Sequence, residues 1–194
     1  IKIQEIDASQ YENIYIVGDI QSCARALHKA IEDNTPLNDE KSLWVFAGDL
    51  FDRGPDAAGV FSAIYPHIEN VILVEGNHET NMRRILSETA LAKMFKTTRT
   101  SQNQIITTGF NNNDIKRLLN YAIPGVILHT PHRRILVTHG GIHHSIVSNI
   151  NNNYKFLPAH SIISGSSERE YVYMGKCNYE VRDEQLIEGA DFEN

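Results

Sequence analysis

With 194 residues, the chain is long enough for one sizeable domain and short for two. Hydrophobic residues make up 41% of it and charged residues 22%, which is an ordinary globular composition, and no apolar run approaches the length that spans a bilayer. The net charge of −6 gives no overall attraction for nucleic acid or anionic membranes. The composition therefore argues against a membrane protein and against a module that only binds nucleic acid.

The cysteine content bears on the location of the protein, and the first residue bears on its N-terminus. Cys23 and Cys177 are too few for a disulfide framework and are not spaced as a metal clip, which favours a reducing, cytoplasmic location. The chain begins with Ile rather than Met, so we expect the native N-terminus to be missing. Residues 1–194 are predicted to form a single domain that is truncated at both ends, and a fusion to further domains is compatible with that start.

Strand and helix patterns alternate in the first part of the chain. The apolar run Asn13–Val17 predicts a buried strand that ends at Gly18, and Ser22 is suited to cap a helix that runs to Asp33. A strand at 43–47, a helix at 57–65, a strand at 71–74 and a helix from about 80 to 95 are predicted next. This order is typical of a largely parallel α/β sheet, in which the residues after the strands line the ligand-binding edge.

The second half of the chain has weaker patterns. Residues 97–113 are rich in Thr, Asn and Gln and predict a loop or a small insertion. A helix is expected at 114–121, followed by a hairpin of two strands at 125–129 and 134–138. On the first helix, Cys23 is expected in the core and His28 in solvent. Beyond residue 161 the pattern supports no assignment.

Four polar clusters each follow an apolar strand. They are Gly18-Asp19-Ile20-Gln21, Gly48-Asp49-Leu50-Phe51-Asp52-Arg53-Gly54, Gly76-Asn77-His78-Glu79 and His139-Gly140-Gly141. Asp, Asn and His supply oxygen and nitrogen ligands that suit divalent cations, and a strand end holds them with little freedom. A carboxylate such as Asp49 can bridge two cations in a site for phosphoryl hydrolysis. Taken singly, each cluster could be a helix cap or a surface turn, but their joint order favours one site.

The order of these four clusters, over residues 14–142, resembles the metallophosphoesterase (calcineurin-like) superfamily. The resemblance is to its phosphoprotein-phosphatase and diadenosine tetraphosphatase members. It implies an α/β fold, namely a β-sandwich of mixed sheets flanked by helices. It also implies a hydrolase, specifically a phosphatase, with two divalent metal ions. Mn²⁺ is the expected ion, with Mg²⁺, Fe and Zn²⁺ as alternatives.

The resemblance also implies a ligand set for the two metals. Asp19 and Gln21 would bind metal one, Asp49 would bridge both, and metal two would be bound by Asn77 and His139. Most relatives carry His where this chain has Gln21, and an amide oxygen favours Mn²⁺ or Mg²⁺ over Zn²⁺. The family pattern includes a further His on a later strand, which we expect beyond the end of this sequence.

The catalytic roles implied by the resemblance fall on the two middle clusters. Arg53 and Asn77 would bind the phosphoryl group, for which a planar arginine fork is well shaped. His78 would be the general acid that protonates the leaving oxygen, and Asp52 would orient its ring. A metal-activated water would be the nucleophile, so no covalent phosphoenzyme is required.

The substrate stays open at this level. Asp52 and Glu79 resemble the phosphoprotein-phosphatase versions, which favours a phosphate monoester on a phosphoprotein or a nucleic-acid end. Gln21 and the Gly54-Pro55 pair favour a symmetrical diadenosine tetraphosphatase, which cleaves a nucleotide. A degenerate phosphatase that only binds phosphate is a third alternative, and a fragment of a larger repair enzyme is a fourth.

Overall fold

The protein is described from a computed structural model that covers residues 3–88, 94–141, 178–182 and 185–188, the last two segments by their backbone alone. Within these residues the strands are β1 Gln4–Asp7, β2 Asn13–Val17, β3 Ser42–Phe46, β4 Val71–Val74, β5 Ala122–Ile123, β6 Gly125–His129, β7 Arg134–Thr138, β8 Asn178–Arg182 and β9 Gln185–Glu188. The helices are α1 Ala24–Asp33, α2 Ala57–Ile64, α3 Asn77–Leu86, α4 Lys96–Thr107 and α5 Asn112–Tyr121, with a 3₁₀ turn at Tyr65–His67. These elements form two compact units.

The unit Tyr11–Ile123 contains a four-stranded sheet in the order β2-β3-β4-β5. All of its neighbouring strands are parallel, as the alternating sequence pattern predicted. Every residue of β3 is buried, whereas no residue of β2 is fully buried, so the expectation of a buried first strand was wrong. Because the strands are parallel, the loops after β2, β3 and β4 lie at one edge of the sheet.

The helices of this unit share an apolar core with the sheet. Phe61 of α2 is completely buried, and its ring centroid lies 4.7 Å from that of Phe110 and 4.8 Å from that of Tyr65. The ring centroid of Phe51 lies 6.3 Å from that of Phe61. Aromatic packing of this kind fixes α2 against the loop that follows β3.

The other unit comprises Ile1–Gln10 and Pro124–Asn194, and its five strands are ordered β1-β6-β7-β8-β9. The predicted hairpin is confirmed, because β6 and β7 pair antiparallel from Gly125 opposite Thr138 to His129 opposite Arg134. β1, which the sequence pattern did not predict, pairs parallel with β6. The two sheets with their helices confirm the mixed α/β class. No helix within the described ranges is long and apolar enough to cross a membrane.

Residues 97–113 are mostly helical, so the expectation of a loop was wrong. α4 spans Lys96–Thr107, and α5 begins at Asn112, two residues before the predicted start. The buried face of α4 is formed by Thr98, Ser101, Gln102 and Ile105, which have helical spacing. Three of the four are polar, and an apolar periodicity therefore does not mark this helix in the sequence.

Two expectations at the start of α1 were also wrong. Cys23, not Ser22, is the N-cap residue, and it makes no side-chain capping bond. Ser22 is instead buried in a left-handed conformation with φ +58°. Cys23 is exposed rather than in the core, whereas His28 is exposed as expected. Cys177 lies outside the described residues.

The packing around Phe61 predicts a stability effect. Replacing Phe61 with Ala should lower the free energy of unfolding by about 3–5 kcal/mol, because it removes a buried ring and leaves a cavity. Urea unfolding measures the change. Met94→Ala is the matched control, since Met94 is 73% exposed and its loss should change stability by no more than about 0.5 kcal/mol. Equal effects of the two substitutions would contradict the described core.

Candidate active site

The loops after β2 and β3 adopt an unusual backbone conformation. Six non-glycine residues have positive φ in the part of the chain that the structure describes, and five of them belong to these loops: Gln21, Ser22, Asp49, Asp52 and Arg53. Such conformations cost on the order of 1–3 kcal/mol each and persist only where the surroundings impose them. Four of the five are residues that the sequence singled out as metal ligands or catalytic groups.

Backbone hydrogen bonds join these two loops directly. The carbonyl of Asp49 accepts from the N–H groups of Ile20 at 3.2 Å and Gln21 at 2.9 Å, and Ser22 N donates to Leu50 O at 2.9 Å. Gly54 lies where the two loops approach each other closely, and a Cβ at this position would lie only 2.0 Å from Gln21 O. The position of Asp19 relative to Asp49 is therefore fixed by the main chain.

A buried carboxylate connects the loop after β3 with the start of α3. Glu79 is 1% exposed, and its Oε2 accepts from Asp49 N at 2.8 Å and Gly76 N at 2.9 Å, while Oε1 accepts from Leu50 N at 2.9 Å. Burial and the nearby Asp49 charge raise the pKa of Glu79, and the three N–H donors act in the opposite direction. No role was predicted for Glu79, although its spacing from Gly76 is that of a capping box.

Asp49 is the other buried carboxylate of this loop. It is 3% exposed, and its Oδ1 accepts from the backbone N–H of His78 at 3.1 Å. α3 begins at Asn77 rather than near Thr80 as expected, so both Asn77 and His78 lie in its first turn. A side chain at Gly76 would collide with the site, since its Cβ would lie 2.4 Å from Asp49 Oδ1.

His78 and Asp52 form a buried pair. The ring Nδ1 of His78 lies 2.6 Å from Asp52 Oδ2, and a proton on Nδ1 would be donated to that oxygen. The other ring nitrogen, Nε2, has no hydrogen-bond partner among the described residues and lies 3.7 Å from Asp49 Oδ2. The bond to Asp52 raises the pKa of His78 against the effect of burial, with a further contribution from the charge of Asp49.

Asp52 has further partners on α4. Thr98 Oγ1 donates to Asp52 Oδ2, and Ser101 Oγ donates to Oδ1 at 2.8 Å. Burial alone would raise the pKa of Asp52, but the hydrogen bonds from His78, Thr98 and Ser101 together lower it. Sequence analysis missed both hydroxyl residues because it predicted no helix for this segment.

The predicted ligands of metal one lie close to the bridging candidate. Asp19 and Asp49 each offer a carboxylate oxygen within 4.8 Å of the other. Gln21 Nε2 donates to Asp19 Oδ2 at 2.9 Å. Buried or half-buried carboxylates with an adjacent amide are a donor set that suits a hard divalent cation, so these residues fit the implied metal.

The other predicted site residues are placed as follows. Asn77 is half-buried at the first position of α3, and Arg53 is exposed in the loop after β3. His139 belongs to the other unit, where it directly follows β7 and is 6% exposed. Next to it, Thr138 Oγ1 donates to Gly140 O at 2.7 Å and closes the turn. No further histidine for metal two is assigned from the described residues.

Comparison with known proteins gives a consistent result. A sequence model of the calcineurin-like phosphoesterase family matches residues 12–176. The chain is 28% identical to a symmetrical bis(5'-nucleosyl)-tetraphosphatase of Wigglesworthia glossinidia brevipalpis over 129 residues, which are 66% of this chain and 44% of the relative. It is 34% identical to serine/threonine-protein phosphatase 1 of Salmonella typhimurium over 76 residues, which are 39% of this chain and 34% of that protein.

The matched segments cover less than half the length of these curated relatives. Among solved structures, a protein serine/threonine phosphatase from Saccharomyces cerevisiae matches with a TM-score of 0.46 and 20% identity. That match covers 73% of this chain and 42% of the yeast chain.

The role of Glu79 can be tested by Glu79→Gln. An amide keeps the shape but turns an NH₂ group toward backbone N–H donors, so at least one donor loses its acceptor. We expect the free energy of unfolding to fall by about 1–3 kcal/mol and Mn²⁺ affinity to fall with it. Urea unfolding and calorimetric Mn²⁺ titration measure these effects. Glu88→Gln is the control because Glu88 is exposed, and unchanged Mn²⁺ affinity in Glu79→Gln would argue against this role.

Proposed function

The chain belongs to the calcineurin-like phosphoesterase family, and we propose that it is a metal-dependent phosphatase that hydrolyses phosphate monoesters. The observation that carries the proposal is the buried pair of His78 and Asp52 beside Asp49. It places a candidate proton donor, His78 Nε2, 3.7 Å from an oxygen of a candidate metal ligand, Asp49. The proposed substrates are phosphoproteins or the phosphorylated ends of nucleic acids.

The metal ligands in this proposal are the five residues identified from the motifs: Asp19, Gln21, Asp49, Asn77 and His139. The close carboxylates of Asp19 and Asp49 support it. When bound, two divalent ions would acidify the attacking water and offset the charge of the phosphoryl group. Oxygen-rich ligands favour Mn²⁺ as the resident metal, and the low cysteine content supports a cytoplasmic location.

The remaining groups would act on the substrate itself. Arg53, which is exposed in the loop after β3, would bind the phosphoryl oxygens together with Asn77. As a water oxygen bonds to phosphorus, the bond from phosphorus to the leaving oxygen breaks. His78 would donate its Nε2 proton to that leaving oxygen, while Asp52 holds the opposite ring nitrogen.

A second candidate function is symmetrical cleavage of diadenosine tetraphosphate. The similarity to a symmetrical bis(5'-nucleosyl)-tetraphosphatase favours it, together with Gln21 and the Gly54-Pro55 pair. The same metal ligands and the same acid would serve both reactions, which differ in the group that leaves. Turnover of diadenosine tetraphosphate at a higher kcat/KM than p-nitrophenyl phosphate and a phosphopeptide would favour this second function.

The proposal predicts Mn²⁺-stimulated hydrolysis of p-nitrophenyl phosphate that is lost in Asp49→Asn. Loss of the bridging carboxylate should remove several kcal/mol of transition-state stabilisation, so kcat/KM should fall on the order of a thousandfold. Asp33→Asn is the matched control, because Asp33 lies at the exposed end of α1 and forms a surface ion pair with Lys29 there.

One result would overturn the proposal in favour of a different function. If calorimetry shows that the chain binds Mn²⁺ and inorganic phosphate but turnover of all three substrates is absent, the protein is a phosphate-binding module instead. Equal activity of Asp49→Asn and the unmodified chain would also contradict the proposed metal site.

A further inference from the structure

We propose that Thr98 and Ser101 of α4 are positioning residues for proton donation: their hydroxyl groups fix the Asp52 carboxylate, and Asp52 in turn fixes the ring of His78. Neither hydroxyl touches the reacting atoms. The inference rests on the proposed function, because it concerns the group that would protonate the leaving oxygen.

The hydrogen bonds around Asp52 leave its carboxylate little freedom. Oδ2 accepts from His78 at 2.6 Å and from Thr98, and Oδ1 accepts from Ser101 at 2.8 Å. Ser101 Oγ also accepts from the backbone N–H of Asp52 at 3.1 Å. Ser101 therefore holds both the main chain and the side chain of one residue, whose φ is +74°.

The hydroxyl groups are themselves held by the packing of α4. Ile105, one turn beyond Ser101, is completely buried in the core of the unit. Gln104 accepts from Ala57 N at 2.9 Å through Oε1 and donates to Pro55 O at 3.2 Å through Nε2. α4 thus contacts both ends of the segment from Asp52 to Ala57, and these contacts fix the position of the Asp52 carboxylate.

Positioning and simple stabilisation predict different kinetics. A group that donates a proton matters most when the leaving oxygen is a poor leaving group, and little when the leaving anion is stable. Phenyl phosphate and p-nitrophenyl phosphate differ in this respect, since p-nitrophenolate is the more stable anion. A misplaced His78 should therefore lower the rate of phenyl phosphate hydrolysis selectively. A general loss of order in the site should lower the hydrolysis rates of both esters to a similar extent.

The experiment compares the unmodified chain with a double variant that carries both Thr98→Val and Ser101→Ala. We expect kcat for phenyl phosphate to fall about 10–100-fold with KM nearly unchanged, and kcat for p-nitrophenyl phosphate to fall less than about threefold. In the metal-free protein, the NMR resonance of the His78 Nδ1 proton should be lost or shifted upfield. This second readout needs no bound metal and no turnover.

Two further variants control for folding. The single substitution Thr98→Ser keeps the hydroxyl, so the activity of this variant on phenyl phosphate should stay within about twofold of that of the unmodified chain. Thr100→Val removes a hydroxyl from an exposed position of the same helix and should change neither ester. An equal loss on both esters, or an unchanged histidine resonance in the double variant, would overturn the inference. An unmodified chain that hydrolyses neither ester would instead overturn the proposed function, and the inference with it.

Discussion

The three hydrogen bonds that Glu79 accepts from Asp49, Leu50 and Gly76 hold the candidate site together. A carboxyl group that is 1% exposed is costly to bury, and the three N–H donors offset part of that cost because they provide hydrogen bonds to both of its oxygens. They tie the loop after β3 to the start of α3, although Glu79 and Asp49 are thirty residues apart in the chain. The left-handed backbone of Asp49 is maintained by this arrangement, and the positions of its carboxylate and of His78 depend on it.

A second buried carboxylate, Asp52, is held in the same loop by different partners, and the contrast explains the opposite pKa shifts. Glu79 lies beside the negative charge of Asp49 and accepts only from neutral N–H groups, so burial prevails and its pKa rises. Asp52 contacts the imidazole of His78 and two hydroxyl groups, which outweigh burial and lower its pKa. Glu79 therefore holds the main chain of the site, while Asp52 stays ionised and accepts a hydrogen bond from His78.

The sequence predicted the features of this unit that depend on local patterns. Apolar runs that end in glycine marked β2, β3 and β4, and the order of the polar clusters led to the candidate residues. It did not predict α4, because the buried face of that helix carries Thr98 and Ser101, whose burial is explained by a contact with Asp52 more than forty residues earlier. Glu79 was missed for a different reason: its capping-box spacing indicates only the contact with Gly76, and its contacts with the backbone of Asp49 and Leu50 are formed about thirty residues away in the chain. Hydrophobic periodicity reports burial against apolar groups and carries no signal for burial against a carboxylate.

The hydrogen bonds that orient His78 through Asp52 bear on the choice between the two candidate substrates. Hydrolysis of a phosphoserine ester expels an alkoxide, which is a poor leaving group unless it is protonated as the bond to phosphorus breaks. Cleavage within a dinucleoside polyphosphate expels a phosphate oxygen whose anion is already stable in water. A site that commits Asp52, Thr98 and Ser101 to the orientation of one histidine gains most from the first reaction. On this physical argument, we favour a phosphate monoester with an alkoxide leaving group over a dinucleoside polyphosphate within the proposed function.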